Sequence, residues 1–199
     1  MAASVGEALL EKDPVPLAGL PRFVGAGIYA IYYVGDFPSY AALSAANRNG
    51  NWAAPIYVGK AIPPGGRKGL LDPGTTVGPV LWGRLGEHAE SVRAASTTLN
   101  IEDFYCRHLV VEDIWIPLGE SLMISRFAPV WNTMVDGFGN HDPGTGRYNG
   151  FCPRWDVLHP GRVWATRCKP RPETQETIAR EVFSHLDGRV FPTHRTLFR

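Results

Sequence analysis

The chain has 199 residues, of which 44% are hydrophobic and 20% charged, a composition that is ordinary for a globular protein with one core. Its formal net charge of +1 argues against a protein that coats nucleic acid by bulk charge, but it allows an enzyme whose basic residues line one groove. Three cysteines without zinc-knuckle spacing, no visible signal peptide and no long apolar run predict a cytoplasmic protein with reduced thiols.

The first part of the sequence predicts an arm followed by a β-hairpin with a helical insertion. Residues 1–22 are expected to form an N-terminal arm that includes a short helix. Residues 27–34 are β-branched and aromatic and predict a strand, and residues 55–61 predict a second strand antiparallel to it. Between them, the alanine-rich stretch 39–47 predicts a short helix with Ser39 as its N-cap.

The second part predicts further helices, one more strand and two loops. The helices are expected at 79–95, 116–128 and 173–187, and the third strand at 104–111. The loop 62–78 is rich in glycine and proline, and the polar loop 135–150 is long enough that a function is expected of it. Together these elements predict a single-domain α/β protein of the α+β class, with helices flanking a small three-stranded antiparallel sheet.

Two triplets, GIY at 27–29 and YVG at 57–59, lie on the first two predicted strands. Because side chains alternate across a strand, adjacent antiparallel strands would bring Tyr29 and Tyr57 to one patch. Each tyrosine taken alone is more often a core aromatic. Strict alternation places Lys60 on the face opposite Tyr57, so Lys60 joins the site only if its side chain turns inward.

Four polar residues farther along the chain complete a set with catalytic chemistry. Arg84 and His88 are four residues apart and share a helix face, where a guanidinium suits a phosphate, although such a pair is also typical of a solvated face. Glu120, near the start of a helix, is a magnesium ligand or a carboxylate favoured there by the helix dipole. Asn132 follows this helix, either as an anchor of the helix end that also contacts a phosphate or as a simple turn former.

The ordered set resembles the GIY-YIG nuclease superfamily over roughly residues 24–135. The second triplet, YVG, is a conservative departure from the family pattern, and the helical insertion lengthens the interval between the triplets. The stretches GAGIYAIYY, PIYVGKA and WN-x-x-VDGFGNH-x-PG-x-GR further resemble a branch of type II restriction endonucleases that cut CCGCGG as homodimers.

The resemblance implies a GIY-YIG fold with insertions, a core at about 24–135 and a C-terminal helical extension at about 136–199. It implies double-stranded DNA as substrate and a cognate DNA methyltransferase as functional partner. It also implies one Mg²⁺ in each active site, held by Glu120 and replaceable by Mn²⁺.

The same resemblance implies that Arg84 clamps a phosphate oxygen while Tyr29 and Tyr57 hold the attacking water. Tyr29 is the candidate general base, yet ionising a free phenol at pH 7 costs roughly 4 kcal/mol. Either nearby cations reduce this cost or His88 accepts the phenolic proton. A role for Tyr29 as covalent nucleophile is the alternative.

DNA contacts are expected from Lys60 and from Asn140, His141 and Arg147 in the polar loop, where flanking glycines let backbone approach DNA. Arginine to guanine is the commonest specific base contact, which suits a GC-rich site. The competing interpretation is that the loop merely packs. Two other functions stay open: a repair or homing nuclease of this superfamily, and a DNA-binding module without catalysis.

Overall fold

The computed structural model describes residues 2–63, 78–142, 144 and 148–191. Most of the glycine- and proline-rich loop 62–78 and the candidate DNA contact Arg147 lie outside the described residues. The strands are β1 (Val15–Pro16), β2 (Gly27–Tyr33), β3 (Tyr57–Ala61) and β4 (Phe104–Val110). The helices are α1 (Ala2–Leu10), α2 (Ala41–Asn47), α3 (Val80–Ala94), α4 (Ile116–Phe127), α5 (Val130–Thr133), α6 (Arg154–Leu158) and α7 (Gln175–Leu186).

The four strands form one antiparallel sheet in the order β1-β4-β2-β3. All seven residues of β2 are buried, because helices cover both faces of the sheet at this central strand. The predicted class and the three longer strands are confirmed. The prediction of three strands was wrong by one, since the two-residue strand β1 adds to the outer edge of β4.

The hairpin of β2 and β3 contains the predicted insertion, which begins with a 3₁₀ turn at Pro38–Tyr40 and continues as α2. Ser39 lies inside that turn and does not act as the helix N-cap, so this detail of the prediction was wrong. The buried side chain of Asn47 ties the ends of the insertion together. Its amide donates to the carbonyls of Tyr33 and Ala54 at 3.1 and 2.9 Å and accepts from the N–H of Ala54 at 3.0 Å.

Helices α1 and α4 pack on the face of the sheet that carries Ile28. Gly119 of α4 lies so close to Val5 of α1 that an added Cβ would stand 2.9 Å from a Val5 methyl. Leu9 and Leu17 are buried in the same core as the sheet. The N-terminal residues predicted as an arm therefore pack on the body of the protein.

The chain beyond α5 packs on the same core. Ile178, Val182 and Leu186 of α7 are buried, whereas Phe183, which the sequence pattern also placed on the apolar side of this helix, is half exposed. The side chain of Arg189 donates to the carbonyl of Phe127 at 2.6 Å, which satisfies a free backbone oxygen at the end of α4. None of the helices in the described ranges combines the length and apolar character that a membrane span needs.

Candidate active site

The antiparallel pairing of β2 and β3 brings the two predicted tyrosines together. Tyr29 pairs with Gly59 across the strands, and the ring centres of Tyr29 and Tyr57 are 6.2 Å apart. Tyr29 is fully buried, whereas Tyr57 is partly exposed. The YVG triplet ends in glycine because the Tyr29 ring lies over Gly59, where a Cβ would stand 2.6 Å from Cζ of Tyr29.

We expect Gly59→Ala to lower DNA cleavage strongly, because the added methyl group must displace the Tyr29 phenol. A catalytic group misplaced by about 1 Å costs on the order of 10²-fold in rate. Gly83→Ala is the matched control, since nothing lies within 4 Å of an added Cβ there and alanine favours the α3 helix. Single-turnover cleavage rates and melting temperatures of both variants check the prediction, and equal rates for the two would contradict it.

Helix α3 presents Arg84 and His88 to the two phenols, as their spacing predicted. The Tyr29 Oη lies 2.5 Å from the Nε2 of His88, which is 1% exposed. The ring centres of Tyr57 and His88 are 5.3 Å apart. The imidazole therefore lies beside both phenols and forms a direct hydrogen bond with one of them.

Burial favours the neutral forms of Tyr29 and His88. It raises the pKa of the Tyr29 phenol well above its ordinary value, and the nearby positive charge of Arg84 offsets the increase only in part. Burial also lowers the pKa of His88 well below its ordinary value, and Arg84 lowers it further. Tyr29 and His88 are thus both neutral near pH 7. When the imidazole of His88 carries its proton on Nδ1, its Nε2 can accept the phenolic proton of Tyr29.

Glu120 approaches the two phenols from α4. Burial is the main cause of the raised pKa of Tyr29 and Tyr57, and the negative charge of Glu120 raises both further, so this carboxylate lies within electrostatic reach of them. Glu120 is the fifth residue of α4 and not part of its first turn, so the helix dipole does not account for its position. Its Oε2 lies 2.5 Å from the Nζ of Lys60.

Lys60 lies on the α4 side of β3, because it pairs across the strands with Ile28, whose side chain meets Gly119. Alternation correctly placed it away from Tyr57. The ion pair with Glu120 nevertheless joins Lys60 to the candidate site.

The donor set at Glu120 fits Mg²⁺ better than a transition metal. Among the described residues no three His, Cys, Asp or Glu side chains cluster around a potential metal position. Mg²⁺ is commonly held by one or two carboxylates, with water and phosphate oxygens completing its shell. The side chain of Glu120 is 16% exposed and forms an ion pair with the ammonium of Lys60, so it already faces one cation.

Asn132 anchors β3, the edge strand that carries Tyr57. Its Oδ1 accepts from the N–H of Val58 at 2.8 Å, and its Nδ2 donates to the carbonyl of Val58 at 2.8 Å. Val58 follows Tyr57 directly, so the amide fixes the backbone next to the phenol. Asn132 therefore anchors a strand, whereas the sequence interpretation expected it to anchor the end of the helix.

We expect Asn132→Ala to lower stability by about 1–3 kcal/mol, because the buried backbone of Val58 loses two hydrogen bonds. The same variant should cleave DNA more slowly, since Tyr57 loses its fixed position. Asn47→Ala loses a comparable set of backbone bonds outside the site and should lower stability without slowing cleavage. Urea unfolding and single-turnover assays on both variants test this, and equal slowing in the two would show that Asn132 acts through stability alone.

The segment that follows α5 closes over the site. Arg84 donates to the carbonyl of Gly139 at 2.6 Å, to Glu87 at 2.8 Å and to the ring of His141. Of the predicted DNA contacts, Asn140 and His141 thus lie next to the catalytic candidates. Both line an open pocket of about 450 Å³ together with Asp142, Phe151 and Trp164.

Sequence reasoning missed Phe138, whose ring stacks on His88 with centres 4.5 Å apart and packs edge-on against Tyr57 at 5.0 Å. Phe138 is 1% exposed, although it lies in a stretch predicted to be a polar loop. Its position between Gly137 and Gly139 is the signal that was available, because paired glycines allow a backbone to fold closely around one anchored side chain.

A comparison with protein-family models matches residues 21–186 to the family described as the Eco29kI GIY-YIG domain. This match covers most of the chain and includes each of the six catalytic candidates, from Tyr29 to Asn132. A search of curated proteins finds no match.

Proposed function

The chain belongs to the family of the Eco29kI GIY-YIG domain, a family of restriction-type nucleases, and from this premise we propose that it is a type II restriction endonuclease that hydrolyses double-stranded DNA at CCGCGG. The observation that supports a catalytic role is the convergence of five polar groups of four chemical kinds. Two phenols, an imidazole, a guanidinium and a carboxylate from β2, β3, α3 and α4 lie within direct or electrostatic reach of one another.

The guanidinium of Arg84 is the group suited to the scissile phosphate. Its Nη2 is held by the carbonyl of Gly139, while its Nη1 contacts the half-exposed side chains of Glu87 and His141. These exposed partners can exchange for phosphate oxygens without moving the rest of the side chain. A cation fixed in advance stabilises the negative charge that develops on those oxygens.

Tyr29 and His88 supply the path for the proton of the attacking water. A resting phenolate at Tyr29 is disfavoured, because burial raises the pKa of this phenol. The contact between Tyr29 and His88 supports an alternative route, in which Tyr29 takes a proton from water as its own proton passes to Nε2 of His88, 2.5 Å away. The full burial of Tyr29 favours this role over that of a covalent nucleophile.

Glu120 would hold Mg²⁺, or Mn²⁺ in its place, and the metal would supply positive charge to the phosphate and the leaving oxygen. Lys60 would then be free of its ion pair with Glu120 and could contact the DNA backbone. Asn132 keeps Tyr57 in position throughout.

We assign the recognition of the DNA sequence to the protein surface next to the active site. Asn140 and His141 line the open pocket, and Arg147 belongs to the same loop in the sequence. A palindromic site matches a homodimer, in which each protomer cuts one strand. We further propose that the enzyme acts in the cytoplasm beside a cognate DNA methyltransferase that protects the host sites.

Cleavage of two plasmids in the presence and absence of Mg²⁺ tests the proposal. The plasmids are identical except that one carries a single CCGCGG and the other a changed base pair within it. We expect only the first to be linearised, only with the metal, and with free 5′-phosphate ends. Activity restricted to branched or damaged DNA would instead identify a repair or homing nuclease, and binding without any cleavage would identify a non-catalytic module.

A further inference from the structure

A buried arginine in the C-terminal part of the chain holds the segment that closes over the active site. Arg162 is 6% exposed and its partner Asp156 is 4% exposed. The Nε and Nη2 atoms of Arg162 contact the two carboxylate oxygens of Asp156 at 2.6 and 2.5 Å. The guanidinium carbon also lies 4.5 Å from the ring centre of Trp155 and 4.7 Å from that of Trp164.

The remaining donors of Arg162 all go to the backbone of one short segment. They contact the carbonyl oxygens of Gly137 at 2.8 Å, Phe138 at 3.1 Å and Asn140 at 3.1 Å. A guanidinium has five N–H donors, and here each one has an acceptor. An arginine whose donors all have acceptors typically holds the backbone around it in one fixed conformation.

The carbonyl that Arg162 leaves free belongs to Gly139, and it accepts from the catalytic candidate Arg84 at 2.6 Å. Two arginines therefore hold four successive carbonyls, Arg162 from the body of the protein and Arg84 from the active site. Between them, Phe138 stacks on His88 with an interplanar angle of 18°. A shift of this segment would move the surroundings of Arg84 and His88 together.

We propose, as an extension of the proposed function, that Arg162 is a positioning residue for DNA cleavage. It fixes segment 137–140, and through that segment it sets the orientation of Arg84 toward the phosphate and of His88 toward Tyr29. Asp156 holds the guanidinium in the required plane. A lysine cannot replace Arg162, because an ammonium has three donors and no planar fork.

Arg162→Lys tests the proposal, with Arg154→Lys as the matched control. Arg154 lies on α6, and its side chain forms ion pairs with Glu173 and Glu181 and not with the carbonyls of segment 137–140. We expect Arg162→Lys to lower kcat about 10- to 100-fold, as for a misplaced catalytic group, with a much smaller change in KM for cognate DNA. It should also shift the imidazole signals of His88 in ¹H–¹⁵N NMR spectra of the free protein, and the control should do neither.

Asp156→Asn serves as a second variant if Arg162→Lys does not fold. It keeps the size of the side chain, removes its charge and replaces one of the two acceptor oxygens with an NH₂ donor, so it loosens the hold on Arg162. It should change kcat and the His88 signals in the same direction. Normal kcat and unchanged His88 signals in a folded variant would overturn the proposal, as would a rise in KM at constant kcat. If the unmodified protein cuts no DNA, the proposed function fails, but the His88 signals still decide whether Arg162 positions this side chain.

Discussion

Replacement of Glu120 by Gln is expected to abolish Mg²⁺-dependent cleavage, with a fall in rate on the order of 10³-fold or more. Glutamine keeps the size and shape of the side chain but removes the charge that would hold the metal. Among the described residues no cluster of three or more metal-binding side chains exists to take over this task.

The same substitution should leave DNA binding intact or slightly tighter. Lys60 loses the partner that lies 2.5 Å away, so its charge becomes available to phosphates. A gel-shift titration in Ca²⁺ and a cleavage assay in Mg²⁺ separate the two effects. Loss of cleavage with retained DNA binding would show that the variant is folded, because a misfolded protein would lose binding as well.

Glu90→Gln is the matched control for Glu120→Gln. It makes the same change of charge at a side chain that is 75% exposed and paired with Arg93 on the outer face of α3. We expect normal cleavage from this control. Normal cleavage by Glu120→Gln, or an equal loss in both variants, would remove Glu120 from its proposed role.

The second large effect is expected for Tyr29→Phe, which removes only one hydroxyl group. Loss of a general base typically lowers a rate 10²- to 10⁴-fold, and we expect a value of about this size in single-turnover cleavage. The variant should also lose about 1–3 kcal/mol of stability, because Nε2 of the buried His88 is left without its partner.

The chain contains a close match to this pair in Tyr40 and His159. Tyr40 is fully buried, its Oη lies 2.7 Å from Nε2 of His159, and it also accepts from Trp131 at 2.7 Å. Tyr40→Phe should therefore destabilise the protein at least as much as Tyr29→Phe does. If cleavage falls only in Tyr29→Phe, the effect is chemical. If it falls equally in both variants, the proton path through Tyr29 and His88 is wrong.

Local patterns in the sequence predicted most of the fold and the elements that carry the six catalytic candidates. Aromatic and β-branched runs define β2, and a spacing of four residues places Arg84 and His88 on one helix face. Alternation along β3 separates Lys60 from Tyr57, as observed. These features follow from the geometry of a single strand or helix, so the local sequence is enough to predict them.

Contacts between distant parts of the chain were not predictable in this way. Strand β1 has two residues, one of them Pro16, so only its pairing with β4 defines it as a strand. Nothing local shows that Arg162 binds the carbonyls near Phe138, more than twenty residues earlier. The ion pair of Lys60 with Glu120 likewise depends on which face of the sheet α4 covers.

The two edges of the sheet limit how two copies of the protein can associate. An unpaired edge strand is a template for continuous sheet formation between molecules. At one edge, the side chain of Asn132 occupies both backbone groups of Val58, and at the other, Pro16 brings no N–H to the outer side of β1. Val58 and Pro16 therefore disfavour strand pairing between molecules at both edges, which favours a sheet, with its tyrosines, that is built from a single chain.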